Sequence, residues 1–212
     1  MAGEKSSEDC ATGPGRKRSE AKRAAILTAA RGVFLQDGYA AASMNAIADA
    51  AKVSKATLYS HFKDKEALFA AVVEERYTAF SDALPAYDEG ADPAEALAAF
   101  ARAMLKNIRA PEHIALIRLI IGEQDRFPLL SEIYFKVGKA SAYGKTQTYI
   151  RALAKSGGYD IQDTKLAAGQ FLGGVKEMLY WPVMFGGEPM GEDDAVIESI
   201  VAAMVKAWGA PD

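Results

Sequence analysis

The sequence contains few of the residue types that carry catalysis, metal binding or covalent cross-linking. Among its 212 residues are one cysteine and two histidines, which excludes a disulfide framework and favours a reducing, cytoplasmic location. We interpret Cys10, which lies in a polar segment, as a solvated thiol rather than a redox sensor. His61 and His113 lie far apart and lack the paired histidine–carboxylate spacing of catalytic or metal sites. The sequence therefore predicts no enzyme, no metal site and no cofactor.

Long apolar runs and strand patterns are also missing. No run approaches the ~20 apolar residues that span a bilayer, and the first residues, MAGEKSSEDCATGPGRKR, lack the apolar core of a secretory signal. We therefore expect no membrane partner. The glycines of FGGEPMG (185–191) follow a helical pattern rather than a strand, so they predict a loop and not a phosphate site. Because no alternating strand pattern lies between turn signals, the predicted fold class is all-α.

Apolar residues at helical spacing are, by contrast, abundant. We predict a disordered polar tail over 1–15, then a helix over about 16–36 that stops at Asp37-Gly38, where the glycine can adopt a left-handed cap. Ser43 and Ser54 are the predicted N-caps of two short helices, 43–50 and 54–61. Later helices are predicted from residue 64 to before Pro85, from Pro93, from Pro111, and over about 129–155, 163–185 and 193–208.

Charge divides the chain into a basic head and an acidic body. Residues 1–63 carry 10 lysines and arginines against 6 acids, whereas residues 64–212 carry 15 against 22. A basic head on a chain whose formal net charge is -3 suggests that only the head contacts a polyanion. The two short helices in this head predict a helix-turn-helix DNA-binding domain over 16–63, followed by a helical domain over 64–212.

The stretch SKATLYSHFKDKEALF (54–69) carries the predicted DNA-contacting surface. With Leu58 and Phe62 facing inward, the ~100° step per residue of a helix turns small and hydrogen-bonding side chains outward or to the flanks. These side chains are Lys55, Ala56, Thr57, Tyr59, Ser60 and His61. Such a face, on a helix capped by Ser54, suits the DNA major groove. Lys65 begins the next helix and is predicted to contact a phosphate together with free backbone N–H groups.

Residues 24–74 closely resemble the DNA-binding domain of the TetR family of transcriptional regulators. The resemblance rests on AARGVFLQDGY (29–39), SMNAIADAAKVS (43–54) and TLYSHFKDKEALF (57–69). It implies an all-α fold of about nine helices and a homodimeric repressor that binds double-stranded operator DNA, with a C-terminal domain that binds a small molecule and forms the dimer. The positions that match those at which family members contact operator phosphates and bases are Ser43, Lys55, Thr57, Tyr59, His61 and Lys65.

One position departs from the family pattern. The usual turn between the short helices has the sequence A-G-V-S, and here it is Ala51-Lys52-Val53-Ser54. Glycine suits a left-handed turn residue, whereas that conformation costs another residue ~1–2 kcal/mol. Either Lys52 accepts this strain in return for a backbone contact to DNA, or the turn is relaxed; the sequence leaves both interpretations open.

The C-terminal part resembles the family only in outline, through helix number, helix lengths and an aromatic-rich interior. Aromatic residues and methionines are numerous over 76–187, which fits either an ordinary core or the apolar walls of a pocket. We predict a small apolar or amphipathic effector with the candidate contacts Phe80, Phe100, Met104, His113, Ile117, Phe127, Gln170, Met178 and Trp181. For His113, a partly exposed side chain with satisfied hydrogen bonds is the competing interpretation.

Two long amphipathic helices near the end of the sequence form the predicted dimer contact. The helix over about 163–185 carries small residues that permit close helix approach, and the second covers about 193–208. The predicted interface residues are Phe171, Val175, Ile197, Val201 and Met204. The alternative is that these faces form a monomeric core. For the whole chain, the alternatives are a helical protein adaptor and a small-molecule carrier that does not bind DNA.

Overall fold

The computed structural model describes residues 14–209, which form helices and, within that range, no strand. In chain order the elements are α1 (Pro14–Ala41), α2 (Met44–Ala50), α3 (Lys55–His61), α4 (Lys65–Ala83), α5 (Pro93–Ile108), α6 (Pro111–Glu123), α7 (Leu129–Ile133), a π-helical segment named the π-turn (Tyr134–Lys139), α8 (Ala140–Gly157), α9 (Thr164–Leu179), α10 (Trp181–Met184) and α11 (Asp193–Ala207). The all-α prediction is confirmed. In this part of the chain, α7, the π-turn and α8 form one continuous run and α10 is a single turn, which leaves nine principal helices.

The chain divides into two compact units, with the boundary between Val72 and Val73. The predicted domain division between residues 63 and 64 lies earlier in the chain and stays a prediction. The predicted tail falls mostly on residues 1–13, which include Cys10 and lie outside the described residues, whereas residues 14 and 15 already belong to α1. Over residues 14–209, no helix combines the length and the apolar content needed to cross a membrane.

All four helices of the first unit contribute to its core. Ile26 and Phe34 of α1, Ile47 of α2, Leu58 of α3 and Phe69 of α4 are almost completely buried. The rings of Phe34 and Phe69 meet edge to face with their centroids 5.2 Å apart, an arrangement that adds about 0.5–1.5 kcal/mol to the gain from area burial. This core fixes the inward side of α3 and thereby decides which of its side chains remain outside.

Gly38 interrupts α1 in a way that differs from the prediction. Its φ of 81° and ψ of 164° lie in a region open essentially only to glycine, not in the left-handed region predicted for a cap. The first helical stretch therefore ends at the bend at Gly38, as predicted, and a further helical turn that was not predicted continues to Ala41. Lys65 supports the added turn, because its Nζ donates to the carbonyl oxygens of Tyr39 at 2.7 Å and Ala42 at 3.0 Å.

In the second unit α5, α9 and α11 pack against one another, and α8 lies against α9. Phe171 and Val175 of α9 and Ile197 and Val201 of α11 are at most 2% exposed in the single chain. A side chain that is already buried inside one chain adds no contact area to a dimer. The assignment of these four residues to a dimer interface is therefore wrong, and the alternative of a core within one chain is correct for them; Met204 remains partly exposed.

The predicted helix over 163–185 is broken at Tyr180. Pro182 has no N–H with which to bond the carbonyl of Met178 four residues earlier, so α9 ends and α10 forms a separate turn. The N–H of Met190 replaces the missing donor, 2.8 Å from the Met178 carbonyl oxygen. The prediction that 185–191 is a loop is confirmed, and this bond anchors the loop to the end of α9.

Candidate functional site

Serine caps fix the starts of the two short helices of the first unit. Ser43 Oγ accepts a hydrogen bond from the Ala46 N–H at 3.1 Å, and Ser54 Oγ accepts one from the Thr57 N–H at 3.1 Å. Each bond satisfies a donor that the helix leaves open at its start, which stabilises a short helix by about 1 kcal/mol. Both predicted caps are confirmed, so α2 and α3 have defined beginnings and a defined turn between them.

The turn between α2 and α3 keeps a left-handed residue although that residue is lysine. Lys52 has a φ of 54°, and the Val53 N–H donates to the Ala48 carbonyl oxygen at 3.0 Å. Of the two interpretations that the sequence leaves open, a strained Lys52 is confirmed and a relaxed turn is wrong. A contact between Lys52 and DNA stays a prediction, and the exposed position of this residue is compatible with it.

α3 presents the side chains that its periodicity predicts on its outer face. Leu58 is completely buried and Tyr59 is 51% exposed, while Lys55, Ala56 and Ser60 are exposed and Thr57 and His61 are partly exposed. Thr57 Oγ1 lies 2.8 Å from Ser54 Oγ, which holds the threonine hydroxyl beside the capped helix start. The predicted orientation is confirmed. Whether these side chains contact DNA remains a prediction.

A groove between α1 and α3 adds residues that the sequence analysis missed. Arg18, Ser19 and Lys22 of α1 and Thr57, Ser60 and His61 of α3 line it, around a volume of about 230 Å³. Two cations thus stand beside the hydrogen-bonding face of α3, where a phosphate next to a contacted base would lie. A signal for them was present in the sequence, because Arg18 and Lys22 are four residues apart and share one face of a basic helix.

Lys65 is a predicted DNA contact whose ammonium is already bonded to backbone carbonyls within the chain. Besides its hydrogen bonds to the carbonyls of Tyr39 and Ala42, Nζ lies 4.5 Å from the centroid of the Tyr39 ring. These contacts use a charged donor to close the end of α1. A phosphate contact by Lys65 stays a prediction, but it would compete with these bonds.

The second unit contains a cavity of about 280 Å³, close to the lower end of the ~300–1,000 Å³ typical of small-molecule sites. Four of the nine predicted ligand contacts line it, namely Phe80, Met104, His113 and Trp181. The other five do not: Phe100 and Ile117 are core residues, Phe127 and Met178 are partly buried elsewhere, and Gln170 is exposed. The prediction of a partly exposed His113 is wrong, since this side chain is 4% exposed.

Most of the cavity wall that the sequence analysis missed comes from two helical faces. α8 and the end of the π-turn contribute Lys139, Ala142, Tyr143 and Thr146, and α9 contributes Gly169, Leu172, Gly173 and Lys176. The same spacing of three, four and seven residues occurs in both sets, which marks a single helix face. Polar and small residues interrupt both faces. The sequence analysis missed them because it predicts the pocket from aromatic residues and methionines. Tyr77, Ile108, Tyr134 and Tyr180 complete the wall.

The π-turn decides which residues between α7 and α8 face the cavity. Tyr134 and Lys139 both line it although they are five residues apart. In an α-helix such residues point ~140° apart, whereas the i→i+5 bonding of a π-helix stacks them. Phe135, one turn before Lys139, is 54% exposed and does not line the cavity, and the Lys139 Nζ lies 4.9 Å from the centroid of its ring. A Cβ on Gly138 would collide with the Tyr77 ring, so the absence of a side chain there lets Tyr77 pack on the π-turn.

The cavity keeps its aromatic and imidazole groups neutral. Burial, with the nearby Arg76 and Lys176 cations adding to it, lowers the pKa of His113 to about 3. Burial also raises the pKa of Tyr77 and Tyr180 above the ordinary range, with Tyr134 adding to both shifts. Neutral phenols and a neutral imidazole can donate hydrogen bonds without bringing charge. The charged side chains of the wall are therefore Lys139 and Lys176.

Known proteins resemble both units. The family described as bacterial regulatory proteins, tetR family, matches residues 26–72, and the AefR-like transcriptional repressor, C-terminal domain, matches residues 95–210. The structure of the flavonoid-responsive regulator FrrA has a TM-score of 0.75 at 32% identity, covering 89% of this chain and 95% of that chain. A TetR-family transcriptional regulator from Mesorhizobium loti MAFF303099 has a TM-score of 0.75 at 28% identity, covering 91% and 99%.

The match to curated proteins is local. The HTH-type transcriptional regulator UidR of Escherichia coli (strain K12) is 47% identical over 51 residues, which are 24% of this chain and 26% of that protein. The chain thus spans about a quarter of the length of this curated relative.

The chain is all-α and carries two short helices with serine caps, α2 and α3, of which α3 presents an exposed face. These features define a protein of the helix-turn-helix class. The family that matches residues 95–210 covers more than half of the chain. The chain also resembles FrrA over 95% of the length of FrrA. The chain belongs to the TetR family of helix-turn-helix transcriptional regulators. This family consists of regulators rather than enzymes.

Proposed function

We propose that the protein is a ligand-responsive repressor that binds a palindromic double-stranded operator as a homodimer. The outer face of α3 is the observation that carries this proposal. Thr57, Tyr59 and Ser60 offer hydrogen-bonding groups on a capped helix, with the cations Arg18 and Lys22 beside them. Contacts to base edges need hydrogen-bonding groups, and contacts to phosphates need cations. A protein adaptor or a carrier of small molecules needs neither arrangement.

DNA binding is tested with the full chain, a fluorescent duplex from upstream of its own gene and a scrambled duplex at the same salt concentration. Wild type is expected to prefer the upstream duplex, and Thr57→Ala to reduce that preference by about 0.5–1.5 kcal/mol, the contribution of a single hydrogen bond. Thr78→Ala, at an exposed threonine of α4, is the matched control and should change nothing. A wild-type protein that binds small molecules but prefers no duplex would instead be a carrier.

The small size of the proposed DNA-contacting helix, α3, supports a homodimer. The seven residues of α3 reach only a few base pairs, and a two-fold dimer doubles the contact by binding half-sites about one helical turn apart, or a multiple. The proposed contact is the outer surface of α9 and α11, where Leu166, Gln170, Ser199 and Ala203 are exposed. Leu166 is 58% exposed, which leaves an apolar side chain that a partner chain can cover.

Substitution of an exposed residue tests this interface without disturbing the core. Ala203→Arg places a long cation in the proposed contact and should give a monomer by light scattering, with weaker operator binding. Ala99→Arg introduces the same side chain at an exposed alanine of α5 and should stay dimeric. If Ala203→Arg remains a dimer that binds operator normally, the interface lies elsewhere.

The cavity is the proposed site of a small apolar or amphipathic effector. Its walls combine aromatic rings with a few polar groups, as ligand pockets do. The structural relative FrrA is named as flavonoid-responsive. This name supports an aromatic effector for the present protein. An effector can release DNA only by binding more tightly to the protein state that does not bind operator. A true inducer should therefore raise the melting temperature and lower operator affinity in one preparation, whereas the absence of any thermal shift across aromatic compounds would contradict an effector cavity.

A further inference from the structure

Two lysines line the cavity, and no acidic side chain lies in its wall among the residues described. Lys176 on α9 is partly buried, and its Nζ lies 5.4 Å from the centroid of the Tyr180 ring and 5.5 Å from that of Trp181. Lys139, at the end of the π-turn, is exposed. Within residues 14–209 neither ammonium forms an ion pair with a carboxylate. The cavity thus carries positive charge with no acid of its own wall to balance it.

The protein environment disfavours this charge. Burial, with the nearby Lys139 charge adding to it, lowers the pKa of Lys176. The same positive field, from Arg76 and Lys176, helps to keep His113 neutral. A partly buried cation that lacks an acid is stabilised by whatever anion enters beside it. The geometry therefore favours a ligand that brings a negative charge to the α9 side of the cavity.

Aromatic rings define the rest of the ligand. Tyr77, Tyr134, Tyr180 and Trp181 all line the cavity, and such rings pack against a flat ring in offset or edge-to-face arrangements. We propose that the cavity binds a planar aromatic molecule that carries one carboxylate, with the carboxylate beside Lys176 and Lys139 and the rings between the tyrosines and Trp181. This inference rests on the proposed effector cavity and adds the charge of its ligand.

The competing explanation is that Lys176 only extends its ammonium toward solvent, as long side chains on apolar surfaces do. The ring contacts to Tyr180 and Trp181 would then be the contacts that hold the Lys176 ammonium. A negative charge on the ligand would not increase its affinity. The two explanations differ in one measurable quantity, which is the ratio of affinities for a charged and a neutral ligand of equal shape.

Naphthoate and naphthamide, with biphenyl carboxylate and its amide as a larger pair, provide that comparison by isothermal titration calorimetry of the full chain. We expect the acid of at least one pair to bind about tenfold or more tightly than its amide, as a charge-assisted contact requires. Lys176→Met should remove this preference by weakening the acid and leaving the amide. Lys139→Met should reduce the preference in part, and Lys165→Met, at an exposed lysine of α9 outside the cavity wall, should leave it intact.

The outcomes separate this inference from the effector cavity itself. If wild type binds the acid and the amide equally, the proposal that the ligand carries a negative charge is overturned, and the cavity remains a site for neutral ligands. A preference for the acid that survives in both Lys176→Met and Lys139→Met overturns the assignment of the carboxylate to these lysines. If no member of either pair binds to wild type, the effector cavity is overturned and this inference with it.

Discussion

Tyrosines show how differently the two units use their side chains. In the first unit Tyr59 stands on the outer face of α3 and is 51% exposed, whereas in the second unit Tyr77 and Tyr180 line a cavity and are 5% and 2% exposed. An outward side chain can be replaced with little effect on folding, because it leaves no hole. A cavity-lining side chain also packs against the core. Function and stability should therefore separate in the first unit and stay coupled in the second.

Val201→Glu should have the largest effect, because it places a carboxylate in the core of the second unit. Val201 is 2% exposed, and an unpaired buried charge destabilises a fold by about 4 kcal/mol or more. We expect loss of helical circular dichroism near room temperature. Ala99→Glu, at an exposed position of α5, should unfold at the same denaturant concentration as wild type. A Val201→Glu protein that is folded and monomeric would restore Val201 to a dimer interface.

Two lysine substitutions should separate stability from DNA binding within the first unit. Lys65→Ala removes a charged donor from the carbonyls of Tyr39 and Ala42 and should lower the free energy of unfolding by about 1.5–3 kcal/mol. Lys22→Ala should leave stability unchanged but weaken binding to all duplexes alike and flatten the salt dependence by about one.

Denaturant titration and salt-dependent anisotropy measure the two effects. If Lys65→Ala is as stable as wild type and instead flattens the salt dependence, its ammonium contacts a phosphate, as the sequence predicts.

Two glycines of neighbouring segments test the close contact between Tyr77 and the π-turn. Gly138→Ala would collide with the Tyr77 ring and should destabilise the protein by about 1–2 kcal/mol. Gly144→Ala meets nothing within 4 Å and should instead stabilise α8 by up to ~1 kcal/mol, because alanine favours helices. Thermal unfolding of both variants measures these shifts. Because the two variants are expected to shift in opposite directions, a shift of both in the same direction would contradict this packing.

Lys52→Gly should have the smallest effect, and it should be stabilising. Because Lys52 has a φ of 54°, glycine relieves strain worth up to ~1 kcal/mol, less the flexibility added to the unfolded chain. Chemical denaturation should show a small gain in the free energy of unfolding. A clear loss of stability would mean that the lysine side chain contributes more than its backbone strain costs.

Local signals explain why the first unit was largely predictable from sequence. Ser43 and Ser54 fix two helix starts, and the spacing of Leu58 and Phe62 fixes which side of α3 is buried. Each of these features depends on residues a few positions apart. The helical turn after Gly38 was missed because the group that supports it, the Lys65 ammonium, lies far along the chain.

Long-range packing explains why the cavity was only partly predictable. The position of both Tyr134 and Lys139 in the cavity wall depends on a π-turn that no local pattern marks. The dimer assignment failed for Phe171 because an apolar stripe looks the same whether another helix of the same chain or a partner covers it. Pro182 did carry a local signal for the break after α9, and its missing N–H accounts for it.

Selection of binding sites from a pool of random duplexes tests the central claim most directly, namely that the outer face of α3 contacts specific bases in a symmetric dimer. Wild type should enrich a palindrome whose half-sites lie about one helical turn apart, or a multiple. Thr57→Ala should keep that spacing but tolerate more bases within each half-site. Enrichment of no sequence by wild type, or of an asymmetric site that Thr57→Ala leaves unchanged, would contradict the account.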